Sequence, residues 1–130
     1  MINISKPILG IEEKIMVKRC LDSGMLAQGP RVKEFEEKFA KMCGTKYAIA
    51  VNSGTAAIHC ALYAIGIKKD DEVITVPFTF VATANPVLMQ GGKIVFVDVD
   101  EKTFNIDPKL IEQKITNRTK AIILSSYSAI

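Results

Sequence analysis

The sequence predicts an α/β domain whose largely parallel sheet is covered by helices on both faces. Two observations carry that expectation. Helical and strand-like stretches alternate along the chain. Each strand-like stretch is almost continuously apolar, as a strand buried on both faces requires.

The elements follow in order. Residues 10–23 place Ile11, Ile15, Met16, Cys20 and Leu21 at helical spacing, and Ser23-Gly24 ends that helix. Residues 25–30 read as a loop. A second amphipathic helix carries Val32, Phe35, Phe39 and Met42 on one face and stops at Gly44. Residues 47–51 are a short apolar run, the first expected strand. Residues 55–65 are nearly all small and apolar, a helix expected to be buried and closed by Gly66. Residues 72–76 form the second strand, broken by Pro77. Residues 79–90 read as a helix kinked near Asn85-Pro86. Gly91-Gly92 ends it, and residues 93–97 are the third strand. Asp107 caps a helix that opens on Pro108 and runs through Ile115. Residues 120–124 are the fourth strand. A four-stranded sheet is small for a doubly wound architecture, and its last strand would leave an open edge. The expectation is the front part of a longer protein.

Composition narrows the function classes. Of 130 residues, 48% are hydrophobic and 24% charged, the balance of a folding chain. The net charge of +3 is small and scattered, with no run of five Lys or Arg, which argues against a nucleic-acid partner. No apolar stretch approaches the ~18 residues of a membrane span. The N-terminal stretch lacks the apolar core of a secretory signal, so the expected compartment is the cytosol. Cys20, Cys43 and Cys60 are widely spaced without a CxxC, and a zinc site would need all of them to converge with His59. Reduced, mostly buried thiols are the better expectation. His59 is expected to be a packed core residue.

Three stretches carry candidate chemistry. Asn52-Ser53-Gly54-Thr55-Ala56-Ala57 joins an expected strand to an expected helix, where an open α/β sheet binds its ligands. The first amides of a helix lack intrahelical partners and attract an anion, and Gly54 admits close approach. Ser53 and Thr55 add hydroxyl donors. Phosphate is the natural guest, although the same residues also make an ordinary N-cap. The turn is neither a P-loop nor a dinucleotide fingerprint. Pro77-Phe78-Thr79-Phe80 reaches the same rim of the sheet. One of its rings could stack on a flat aromatic ligand, or both could be core. Asp98 and Asp100, carboxylates that follow a strand, could bind a metal or a ribose, but read better as turn residues or structural hydrogen-bond acceptors, and Asp107 as an N-cap.

The order of these pieces is more specific than any one of them. Gly29-Pro30, Phe35-Glu36, Asn52-Ser53-Gly54-Thr55-Ala56-Ala57, Gly66-Ile67, Asp71-Glu72-Val73-Ile74, Pro77-Phe78-Thr79-Phe80, Phe96-Val97-Asp98-Val99-Asp100, Asn105-Ile106-Asp107-Pro108 and Arg118-Thr119-Lys120-Ala121 follow one another. This series resembles the N-terminal part of the DegT/StrS-type sugar aminotransferases, from Ile4 to Ile123. The resemblance implies the aspartate aminotransferase-like (type I) fold and a pyridoxal 5'-phosphate cofactor. It implies a homodimer that transfers an amino group, usually from glutamate, to a nucleotide-linked keto-sugar. Residues 1–45 would supply the N-terminal helices and residues 46–130 the start of the large-domain sheet. By the same resemblance Gly54 and Thr55 match the turn that binds the cofactor phosphate, with Ala56 adding an amide and Ser53 adjacent. Phe80 matches the aromatic that stacks on the pyridine ring, and Gln28 and Gly29 match a region near the sugar site.

The family also uses a lysine bonded to the cofactor and an acidic residue on the pyridine nitrogen. Both are expected beyond the stretch this chain covers, so the chain alone is expected to be inactive. Residues 124–130 depart from the family pattern. Two alternatives stand beside transamination: a sugar dehydratase of the same family, and a non-catalytic cofactor-binding or partner protein.

Overall fold

The computed structural model describes residues 6–126. Ile4 and the departing residues 127–130 lie outside the described residues. The chain divides into two units, Met1–Ala50 and Val51–Ile130.

The first unit holds two helices. Helix α1, Ile11–Asp22, opens with the Gly10 amide donating to the Glu13 carboxylate at 2.6 Å. It closes with the Ser23 hydroxyl donating to the Cys20 carbonyl at 2.7 Å. Helix α2, Pro30–Cys43, starts on proline and ends at Gly44, whose φ of 65° falls in the left-handed region that glycine tolerates. The expected apolar face exists, and the Phe35 and Phe39 rings lie 5.7 Å apart. Ala40 is buried, whereas Phe35, Phe39 and Met42 stay exposed.

Residues 47–51 do not form the expected strand. A strand needs a hydrogen-bonding neighbour, and among the described residues none runs beside this segment. Tyr47 and Ile49 are 74% and 81% exposed. What holds the segment is a side chain: the Ala50 amide donates to the Glu36 carboxylate of α2 at 2.8 Å.

The second unit is built on a parallel sheet of three strands among the described residues, not four. Strand β1 is Glu72–Thr75, β2 is Lys93–Phe96 and β3 is Thr119–Ile122, in the order β2-β1-β3. The expected covering of both faces is present on the central strand, whereas β2 and β3 are only partly buried. Val73 points to one face and packs with Leu62, Ile67 and Val87. Ile74 points to the other and packs with Val76, Val97 and Ile106. This period of two explains why both Val73 and Ile74 are apolar on a strand buried throughout.

The helices of this unit depart from expectation in detail. Helix α3, Gly54–Ala64, forms where expected but buries Leu62 and leaves most of its length exposed. Cys60 is exposed with it, as is Cys43, and Cys20 is partly exposed, so the thiols are not mostly buried. His59 is partly buried, and its carbonyl accepts the Gln90 side-chain amide at 3.1 Å. The expected helix over 79–90 is split into a 3-10 turn, Val81–Thr83, and helix α4, Asn85–Met89. Pro86 lacks the amide that would continue the first piece into the second. Helix α5, Pro108–Ile111, passes into a 3-10 turn at Glu112–Lys114 rather than running on as α-helix. Asp107 caps it as expected, accepting the Lys109 amide at 2.9 Å. No helix among the described residues is long and apolar enough to cross a membrane.

Gly92 is demanded by packing. A Cβ there would lie 3.0 Å from Val87 Cγ1 and 3.2 Å from the Val87 carbonyl. Gly92→Ala is therefore expected to destabilise the chain by about 1–3 kcal/mol, the usual cost of overpacking. Urea unfolding checks this, and an unchanged midpoint would refute the tight fit.

The amino end of the sheet is tied by Glu72. Its carboxylate accepts the Thr116 hydroxyl at 2.6 Å and the Arg118 Nε at 2.8 Å, with Arg118 Nη2 at 2.6 Å. The Thr116 hydrogen bond, then that of Arg118, holds the carboxyl below its ordinary value. A lowered folded value means that the stabilisation is complete above the ordinary carboxylate range. It is lost as pH falls through the lowered value. Glu72→Gln should lower the thermal midpoint at neutral pH and flatten its acid dependence. Melting curves across the acid range that run parallel for the two proteins would contradict this.

Candidate functional site

The site is built where α3 begins and where β1 ends. Ser53 has extended backbone, φ −162° and ψ 160°, and caps α3. Its hydroxyl oxygen accepts the Ala56 amide at 3.2 Å, and its carbonyl accepts the Ala57 amide at 3.0 Å. The N-cap reading of Ser53 is therefore realised. It leaves the Gly54 and Thr55 amides without an acceptor among the described residues. The Thr55 hydroxyl lies beside them. The Ala56 amide, also expected to face a phosphate, is engaged by Ser53.

Gly54 has no internal reason to be glycine. A Cβ there would meet nothing within 4 Å, and its φ lies outside the left-handed region. The open space lies over the positive end of an 11-residue helix. The turn therefore fits an anion such as a phosphate group.

Phe80 sits beyond the carboxyl end of β1 and precedes the 3-10 turn Val81–Thr83. It is 77% exposed. Phe78 is half-exposed and meets Phe104, with ring centroids 5.9 Å apart and planes tilted by 45°. Of the two candidate rings, Phe80 is thus the more open to a ligand. Helix α3 packs against α4 and against the Val81–Thr83 turn. Its far end leads into the amino end of β1, so its first residues return toward the carboxyl end, where Phe80 stands. Ser53, Gly54, Thr55, Ala56 and Phe80 all belong to this second unit.

The loop between β1 and the 3-10 turn is held by hydroxyls that the sequence reading did not single out. Thr79 Oγ1 donates to Ser125 Oγ at 3.0 Å and lies 2.9 Å from Thr83 Oγ1. The Thr83 amide donates to the Phe80 carbonyl at 2.9 Å. The one available signal was the Thr-x-x-x-Thr spacing around Phe80.

Gln28 and Gly29 lie in the first unit. Gly29 is the N-cap of α2 and lines a cavity of about 450 Å³ with Met25, Pro30, Arg19 and Arg31. Arg31 is paired with Glu34 at 2.9 Å. Gln28 is exposed.

The acidic residues take structural roles. Asp98 Oδ1 accepts the Val99 amide at 2.8 Å. Asp100 Oδ1 accepts the Thr103 amide at 2.9 Å, the Lys102 amide at 3.0 Å and the Thr103 hydroxyl at 3.1 Å. These bonds, that of the Thr103 amide foremost, hold the Asp100 carboxyl below its ordinary value. Both residues serve as structural hydrogen-bond acceptors, as expected, and Asp100 holds a turn.

A parallel α/β sheet, free amides at the start of α3 and an exposed ring beyond the carboxyl end of the central strand are what the structure brings to this unit. The chain belongs to the DegT/DnrJ/EryC1/StrS aminotransferase family, whose sequence pattern matches residues 7–128. It is 50% identical over 119 residues to the spore coat polysaccharide biosynthesis protein SpsC of Bacillus subtilis, a match covering 92% of this chain and 31% of that protein. Among solved structures it is similar to the aminotransferase from Psychrobacter cryohalolentis, with a TM-score of 0.85 and 40% identity over 91% of this chain and 30% of the other. It is also similar to GDP-4-keto-6-deoxymannose-3-dehydratase, solved with a trapped PLP-glutamate geminal diamine. There the TM-score is 0.87 and the identity 33%, covering 94% of this chain and 33% of the other. The chain thus spans about a third of the length of the curated relatives it matches, 31% and 32% for two of them. The expected fold, that of the PLP-dependent aminotransferases, is the fold observed.

Proposed function

We propose that this chain supplies part of the cofactor site of a PLP-dependent sugar aminotransferase. The enzyme moves an amino group from glutamate to a nucleotide-linked keto-sugar in polysaccharide biosynthesis, in the cytosol and as a homodimer. The observation that carries the reading is the pair of free amides under open space at Gly54, in the same unit as the exposed Phe80. When bound, the cofactor supplies an electron sink for amino-group transfer.

The chain's own residues bind and orient. The Gly54 and Thr55 amides and the Thr55 hydroxyl hold the phosphate at the start of α3. The Ser53 hydroxyl keeps the Ala56 amide and fixes the first turn. Phe80 covers one face of the pyridine ring and excludes water from it. Gln28 and Gly29 belong to the sugar side.

Two relatives support this substrate class. One acts in spore coat polysaccharide biosynthesis and the other is a keto-sugar dehydratase. The latter also favours a second reading, dehydration of a keto-sugar on the same cofactor. The test is the reaction of the protein purified from its natural source with pyridoxal phosphate, glutamate and nucleotide-linked keto-sugars. Mass spectrometry of the sugar gives an amino sugar for transfer and a deoxy-sugar without the amino group for dehydration. No change in any keto-sugar would overturn both. The 130-residue chain alone is expected to give no 2-oxoglutarate from glutamate, because the lysine that the family bonds to its cofactor is expected outside it. Turnover by that chain would contradict this.

A further inference from the structure

Phe80 stands at a rim with most of its ring in solvent, yet its loop is tied down on the opposite side. Residues 78–80 leave β1 with Phe78 and Phe80 open to solvent or to another ring, while Thr79 turns to other hydroxyls. A threonine hydroxyl has one proton. Thr79 gives it to Ser125, at 3.0 Å. Thr83, at 2.9 Å, therefore donates to Thr79. The result is a directed chain, Thr83 to Thr79 to Ser125, with the Thr83 end buried. It joins the 3-10 turn after Phe80 to the segment that follows β3. Thr83 also closes the turn through its amide on the Phe80 carbonyl, at 2.9 Å. Phe80 is thus fixed from the residue before it and from three residues after it, although its own ring meets little of the protein.

We infer that Thr79 is a positioning residue, which with Thr83 and Ser125 holds the Phe80 ring at the angle and depth needed to stack on a flat aromatic ligand. The inference rests on the proposed cofactor reading for the identity of that ligand, and on the hydroxyl chain alone for the holding. An untethered loop would pay the entropy of ordering the ring each time a ligand bound; the tethered loop has paid it on folding.

The chain contains no tryptophan, so Phe80→Trp places a single fluorescent reporter at the ring position. Its anisotropy reads how firmly the ring is held without any ligand. Its quenching by pyridoxamine 5'-phosphate, which has no aldehyde to react with surface lysines, reads stacking. Competition by inorganic phosphate reads the Gly54 turn separately.

Adding Thr79→Val, which keeps shape and removes the hydroxyl, should lower the anisotropy. It should weaken quenching by about three- to tenfold, the worth of an aromatic stacking contact. Phosphate affinity should stay unchanged. Thr79→Ser should restore both ring readouts. A merely structural threonine would instead lower stability and phosphate affinity together, and that outcome overturns the inference. Unchanged anisotropy and quenching in Thr79→Val overturn it as well. If the reporter ignores pyridoxamine phosphate altogether, the cofactor reading fails while the anisotropy still decides the holding role. Should Thr79→Val fail to fold by circular dichroism, Ser125→Ala removes the far end of the same chain and is read in the same two ways.

Discussion

Gly54→Val is expected to leave the fold intact and to weaken cofactor binding. A Cβ at Gly54 meets nothing within 4 Å, and its backbone needs no glycine. Inside a helix glycine is the poorer residue, so the substitution carries no fold penalty of its own. The branched side chain would occupy the space above the free Gly54 and Thr55 amides, where a phosphate has to come within about 3 Å of them. Affinity for pyridoxamine 5'-phosphate should fall by at least about tenfold, or about 1.4 kcal/mol. The thermal midpoint should stay where it was. Titration and melting of the two proteins decide the matter. Equal affinities would remove the phosphate from this turn, and a collapsed midpoint would show that the glycine serves the fold after all.

Ile74→Ala is expected to be the most damaging single truncation for stability. Ile74 is fully buried on the central strand and packs with Val76, Val97 and Ile106. Neighbours on both sides of β1 keep the strand in place, so the site has little room to collapse. Such truncations cost about 2–5 kcal/mol, against a total of about 5–15 kcal/mol for a typical protein. Leu124→Ala, at a 70% exposed position, is the control and should change little. Urea unfolding of both variants gives the comparison. Equal costs would mean that the core does not lie along β1.

The central part of the fold was legible because its physics is local in sequence. The apolar pairs Val73-Ile74 and Ile94-Val95 sit in short β-rich runs, and on β1 the two side chains go to opposite covered faces. Asp107 and Pro108 announce a helix start through their own side chains. What failed depended on partners that a window of sequence does not contain. Tyr47 and Ile49 have strand-like side chains, but no neighbouring strand to bond with among the described residues. The small apolar composition around Cys60 suggests a buried helix, but composition does not say which faces have something to pack on. At the site, Ser53 and Gly54 stood out because a helix start has orphan amides wherever it occurs. The contact of Phe78 with Phe104, and the hydroxyls linking Thr79 to Ser125, join residues far apart in the chain. No periodicity reports those.

The position of β1 between its two neighbours also sets an order of events during synthesis. The Thr75 hydroxyl bonds the Ile123 carbonyl, 48 residues later, at 2.9 Å. At about 5–20 residues per second, the ribosome needs several seconds to deliver that partner. Within that interval the first sheet partner to appear is β2, and from then until β3 is made the other edge of β1 has no strand of this sheet beside it. Between the making of β2 and of β3, one edge of β1 is open to pairing with another chain, and the arrival of β3 closes it.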